Sequence, residues 1–167
     1  MALRLRNLIF VLVVASMLQA CGSDSNNTPS GAMNSKTLTV YKSPTCGCCA
    51  DWVTHIESAG FLVKVVEDEA MAELKDRFGI PANARSCHTA VSESGVVFEG
   101  HVPARAIKRY LAQDSGGGSL GLTVPGMPVG SPGMEVGDKF MPYAVLELSK
   151  TGTTTTFEQF QNYESQF

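Results

Sequence analysis

Cys46, Cys48 and Cys49 fall within four residues, with Gly47 letting the backbone fold tightly between them. Thr45 is a candidate N-cap, which would place all three thiols at a helix N-terminus. Backbone N–H groups there favour thiolate over thiol, and thiolates are both nucleophiles and soft metal ligands. Cys46 and Cys49 alone have the spacing of a redox dithiol. Cys48 alters that reading, because a dithiol enzyme has no use for it and it invites misoxidation. Cys87 is a fourth thiol, next to His88. His101 precedes Val102-Pro103, and Met127 and Met134 sit in a Gly/Pro-rich stretch outside any helical stripe. Thioethers and thiolates together select copper(I), and imidazole adds tolerance of copper(II). Zinc also accepts Cys and His. Structural zinc sites usually come as two separated Cys-x-x-Cys pairs, however, and three ligands crowded on one loop bridge metals in a cluster more readily than they close one tetrahedron.

Plainer roles stand beside these. Cys46 and Cys49 can be a simple disulfide and Cys87 a buried structural cysteine. His88 and His101 can be hydrogen-bonding turn residues, and the two methionines can fill gaps under a loop. His55 lies two helical turns beyond Cys48 and reads as structural or surface; Trp52 reads as a wall of the site or ordinary core.

The elements that must position these residues follow from pattern. Thr37 to Tyr41 alternates and is β-prone. Ser43-Pro44-Thr45 breaks the strand, and Cys49 to Ala59 carries a helical stripe stopped by Gly60. Phe61 to Val66 predicts a second strand, parallel to the first across that helix. Glu69 to Phe78 predicts a helix. Cys87–Glu93 and Val96–His101 predict a hairpin about Ser94-Gly95, with Cys87 opening its first strand and His101 ending its second. By strand alternation, at most one of Cys87 and His88 then points straight inward. Pro103 opens a last helix, which carries Ile107 and Leu111 and runs out at Gly116. Ser119 to Pro142 shows no periodicity, and Tyr143–Ser149 with Thr153–Phe160 predicts a final hairpin. The order is α/β: a thioredoxin-like β-α-β plus β-β-α core, a long Gly/Pro/Met loop and a C-terminal hairpin. In that arrangement the loop after the first strand is the reactive site, and the start of the third strand faces it. Redox members usually carry a cis-proline there; Ser86-Cys87-His88-Thr89 has none, and a cysteine converts the groove into a four-thiolate pocket.

The chain has 167 residues, 44% hydrophobic and 17% charged, enough apolar material for a core. Its net charge of −3 makes nucleic acid a poor partner. Arg4 and Arg6 precede a short apolar run from Leu8 to Met17, which reads as a secretory signal rather than a membrane span. The organisation expected is a signal peptide over 1–20, a lipidated Cys21 with a Ser/Asn/Gly-rich tether over 21–36, and a metal-binding domain over 37–167. Leu18-Gln19-Ala20-Cys21 resembles a bacterial lipobox, which implies cleavage before Cys21 and a membrane held through acyl chains. Gly22 and Ser23 lack the aspartate of inner-membrane retention, so periplasmic anchoring at the outer membrane is expected.

Taken together, Tyr41 to Cys49, Trp52, His55, Gly60-Phe61, Ser86 to Ala90, Glu99 to Ala104 and Val124 to Glu135 resemble the CopG-type periplasmic copper-resistance family. The resemblance spans roughly residues 38 to 147 and implies a thioredoxin-like fold with a multinuclear copper–thiolate cluster on the Cys-x-Cys-Cys loop. It also implies interconversion of copper(I) and copper(II), and a role beside copper-export components. Cys46, Cys48, Cys49 and Cys87 are the cluster thiols so implied, followed by His101 and Met127 and then His88 and Met134. The competing activity is a thiol–disulfide oxidoreductase using Cys46 and Cys49; a structural zinc module is a third reading.

Overall fold

The computed structural model describes residues 36–113 and 117–167. The expected signal peptide, the lipidation site Cys21, the tether up to residue 35 and the third helix's run-out at Gly116 lie outside the described residues. Among the described residues no helix is long and apolar enough to cross a membrane.

Up to Leu111 the chain runs β1 (Thr37–Lys42), α1 (Gly47–Ser58), β2 (Leu62–Glu67), α2 (Met71–Arg77), β3 (Thr89–Ser92), β4 (Val97–Glu99) and α3 (Ala104–Leu111). Three strands follow, β5 (Ser119–Thr123), β6 (Tyr143–Ser149) and β7 (Thr154–Phe160). All seven form one sheet in the order β2-β1-β3-β4-β5-β6-β7. β1 and β2 pair in parallel, β3 runs antiparallel to β1, and β4 antiparallel to β3. This is the expected β-α-β plus β-β-α core, and the C-terminal hairpin widens the same sheet.

Alternation along the strands sorts side chains to two faces. Leu38 and Val40 of β1, Phe98 of β4, Leu122 of β5 and Val145 of β6 meet Trp52, Val53 and Ile56 of α1 and Ile107 and Tyr110 of α3. Val97 and Leu148 pack on the opposite face with Ile80 and Ala84, which follow α2. Both faces are therefore covered, as a sheet with parallel crossovers requires.

Three expectations need correction. The stretch from Ser119 to Pro142 is not structureless throughout: Ser119–Thr123 is strand β5, parallel to β4 and antiparallel to β6. Its short Ser-Leu-Gly-Leu-Thr alternation merges with the glycines before it, and Gly121 sits where Val97 of β4 approaches closely. The β3–β4 hairpin is shorter than predicted, so Cys87 and His88 precede β3 and His101 follows β4. The limit that alternation set on Cys87 and His88 does not apply outside a strand. Thr45 is not the N-cap of α1; that position is Cys46, whose backbone is extended and whose side chain makes no cap bond. The helix begins at Gly47, which puts Cys48 and Cys49 inside its first turn.

Candidate metal centre

Four chain segments converge at one end of the sheet. β1 runs into the cysteine loop after Lys42. Tyr41 pairs with Thr89, so Cys87 and His88 arrive at the same end. Thr89 pairs with Glu99, and His101 follows at that end too. Glu99 pairs with Thr123, after which the Gly/Pro/Met loop departs. Two tight glycines set the last approaches. Gly100 has φ +74, and a Cβ on it would lie 2.6 Å from the carbonyl oxygen of Val124. Gly133 has φ +82, and a Cβ there would lie 2.6 Å from the carbonyl of Cys48 and 2.7 Å from the amide of Trp52. The loop that carries both methionines therefore rests directly on the first turns of α1.

The donor atoms form two overlapping sets. The sulfurs of Cys46, Cys48, Cys49 and Cys87 all lie within 4.8 Å of one another, and so do the donor atoms of Cys87, His88 and His101. Cys87 belongs to both. Its Sγ stands 3.2 Å from Nδ1 of His88 and 3.0 Å from Nε2 of His101. Cys46 and Cys49 are joined as a disulfide, with Cα atoms 5.4 Å apart, and Cys48 and Cys87 are free thiols. Cys49, His88 and His101 are fully buried, whereas Cys46, Cys48 and Cys87 are half-buried and form the accessible mouth.

Each imidazole is held. His101 Nδ1 lies 2.8 Å from the carbonyl of Pro132, so that nitrogen carries the proton and Nε2 faces Cys87 with a lone pair. His88 lies with its ring centroid 4.4 Å from that of Trp52, whose Nε1 donates to the carbonyl of Val102 at 2.9 Å. Trp52 is thus the wall of the site. Burial holds both histidines below the usual imidazole range; for His88 the neighbouring His101 and Lys75 add to it. Burial, then the adjacent Cys48, pushes the Cys87 thiol up to about 11. Neutral imidazoles are the ligating form, whereas the thiol needs a cation to release its proton.

The donor set fits a soft or borderline metal, since sulfur and imidazole nitrogen converge on Cys87, and among the described residues Nε2 of His88 is buried with no hydrogen-bond partner. A buried polar atom left unpaired is destabilising unless a ligand completes it. Met127 is 51% exposed on the covering loop and Met134 is half-buried there. His55 stands apart from this cluster, its Nε2 accepting the amide N–H of Ala104 at 3.0 Å at the start of α3. Sequence reasoning passed over the Pro132 carbonyl and the glycines at 100 and 133; for His101, a Pro-Gly pair in an otherwise patternless loop was the available signal.

Two solved structures named copper resistance protein CopG, in forms 1 and 2, are each 40% identical to the chain with a TM-score of 0.69. Each match covers 74% of this chain and 96% or 97% of the other. The chain belongs to the CopG family. Residues 84–134 also match a family described as "Protein of unknown function, DUF411", a span that opens just before Cys87 and closes on Met134. No curated protein matches the chain. This CopG homologue therefore carries, at the reactive end of its fold, a cysteine cluster that can bind metal.

Proposed function

We propose that the protein binds copper for copper resistance, holding more than one ion on a thiolate cluster and interconverting copper(I) and copper(II). The observation that carries this reading is the double membership of Cys87. A thiolate shared between an all-sulfur set and a two-imidazole set would be able to bridge two metal positions, which supports a cluster over a single site. The sulfur side suits copper(I), and the imidazole side tolerates copper(II). The names of the homologous structures supply the metal. Cys46, Cys48, Cys49 and Cys87 would hold the cluster, with His101 and His88 at its imidazole end and Met127 and Met134 from the covering loop. For all four sulfurs to bind, the Cys46–Cys49 disulfide must first be reduced. Copper supplies one-electron redox chemistry when bound; the chain's part is to present neutral imidazoles, shed the Cys87 proton and wall the site off with Trp52. Anchoring through Cys21 in the periplasm, at the outer membrane and near copper-export components, completes the proposal.

Titration of the thiol-reduced chain with copper(I) tests it. Trp52 is the only tryptophan, and its contact with His88 makes its fluorescence a reporter of the site. Quenching should saturate at two or more ions per chain. Cys87→Ser should lose more than one ion, because it removes the shared ligand; loss of a single ion, or none, would contradict the bridge.

A second reading, thiol–disulfide exchange, draws on the closed Cys46–Cys49 bridge at the start of α1. It predicts protein-disulfide reductase turnover that survives Cys48→Ser.

A further inference from the structure

On the α2 side of the sheet, directly behind the metal centre, three polar side chains are buried together: Lys75 is 4% exposed, and Glu99 and Thr89 are 0%. Lys75 Nζ lies 2.5 Å from Glu99 Oε1 and donates to Thr89 Oγ1 at 2.9 Å. Glu99 Oε1 also accepts the backbone N–H of Ser86 at 2.6 Å, and Oε2 accepts the Thr89 hydroxyl at 2.6 Å. Burying such a pair is costly, and apolar side chains of similar volume commonly serve stability as well or better. Apolar side chains could not do one thing that this carboxylate does. It grips the residue before Cys87 and the residue after His88, and it is itself joined to His101 through Gly100 alone.

We infer that Glu99, with Thr89 and Lys75, is a positioning group that fixes the Cys87–His88 pair against His101 for metal binding. The inference rests on the reading of the cluster as a copper site. Gly100 needs its left-handed conformation so that the chain can turn from the carboxylate on one side of the sheet to the imidazole at its end. The Gly100 amide closes the frame by donating to the carbonyl of His88 at 2.9 Å. Lys75 Nζ pairs with Oε1, while Oε1 also holds the Ser86 amide and Oε2 the Thr89 hydroxyl, so both carboxylate oxygens are engaged on the strand ends that lead to the ligands. Partners behind the ligands of a metal site typically change affinity 10–100-fold when removed.

Glu99→Ala is the obvious variant, but it leaves the Lys75 ammonium buried without its partner and can unfold the chain. Thr89→Val and Thr89→Ser avoid this: Val is nearly isosteric and favours a strand, and Ser keeps the hydroxyl. The reduced full chain is loaded with copper(I), and the ions retained against a chromogenic copper(I) chelator are measured. Thr89→Val is expected to bind at least about tenfold more weakly than the parent, and Thr89→Ser within about threefold of it, measured well below every melting temperature because Thr89→Val also strips a partner from Glu99 and Lys75 and melts lower. Equal affinity for parent and Thr89→Val, or equal weakening by Val and Ser, would overturn the inference. A parent chain that takes up no copper would instead defeat the copper reading. The positioning claim is then judged on the metal-free chain by hydrogen exchange at the Ser86 amide. That amide should be protected in the parent and in Thr89→Ser and exchange at least fivefold faster in Thr89→Val; equal protection in all three would overturn the claim.

Discussion

Cys87 shows how much one side chain can carry when its neighbours are chosen by topology. Its sulfur touches both imidazoles and stands within reach of three other sulfurs, yet in the metal-free protein its proton is held tightly. Metal uptake should therefore release protons and weaken as the pH falls. His55 gives a second pH dependence with a different cause. Burial, then the charge of Lys108, lowers its pKa from 6.5 to about 4, and Nε2 can accept the Ala104 N–H only while neutral. The unfolded chain takes up the proton first, so this contribution is present above pH 6.5 and is lost as the pH falls from 6.5 toward 4. Melting temperatures of the metal-free protein should fall across that window, and less steeply in His55→Gln; parallel curves would count against the assignment. At this scale the thiols and His101 were legible because clustered cysteines and a histidine at a turn have few other uses. Lys75 and Glu99 were not, since a lone charge in a sequence reads as solvent-facing until its partner, distant in the chain, is known. Glu99 closing the apolar Val97-Phe98 run was the one available hint.

Among the elements, the β-α-β crossover and the two hairpins follow from alternation and turn residues, and their placement agrees with expectation to within a few residues. β5 was hidden because its five residues follow a glycine run and include Gly121, which removes the side chain that would have marked the period. The loop after β5 has no helix or strand as far as Pro142, as its lack of periodicity predicts, but its route is not legible in sequence, since its approach to α1 is made through backbone and glycine. At Gly133 a Cβ would meet the α1 backbone. Gly133→Ala must either strain a left-handed backbone or push the loop from α1. It should destabilise the protein by at least about 1 kcal/mol and weaken copper retention, because the Pro132 carbonyl that orients His101 moves with the loop. Unchanged melting and retention would show that the loop does not need to seat there.

For the whole molecule, one seven-stranded sheet gathers four chain segments at a single end, and the C-terminal hairpin, at the opposite edge from β2, adds Tyr143, Val145 and Phe160 to the core. The C-terminus reaches back to the covering loop, with Gln166 Nε2 donating to the Gly130 carbonyl at 3.0 Å and Oε1 accepting the Tyr143 hydroxyl at 2.5 Å. That wider sheet could not be foreseen, because a strand's neighbours depend on pairings far apart in sequence. Anchoring is a separate proposition: Cys21→Ser should move the full-length protein from the membrane fraction to the soluble periplasm, and an unchanged distribution would contradict the lipid anchor. The cluster itself is tested most directly by native mass spectrometry of residues 22–167 purified from the periplasm of copper-fed cells. Two or more copper ions per chain, lost together in Cys48→Ser, is the predicted result. A metal-free chain with the Cys46–Cys49 disulfide intact would contradict it and favour thiol–disulfide exchange.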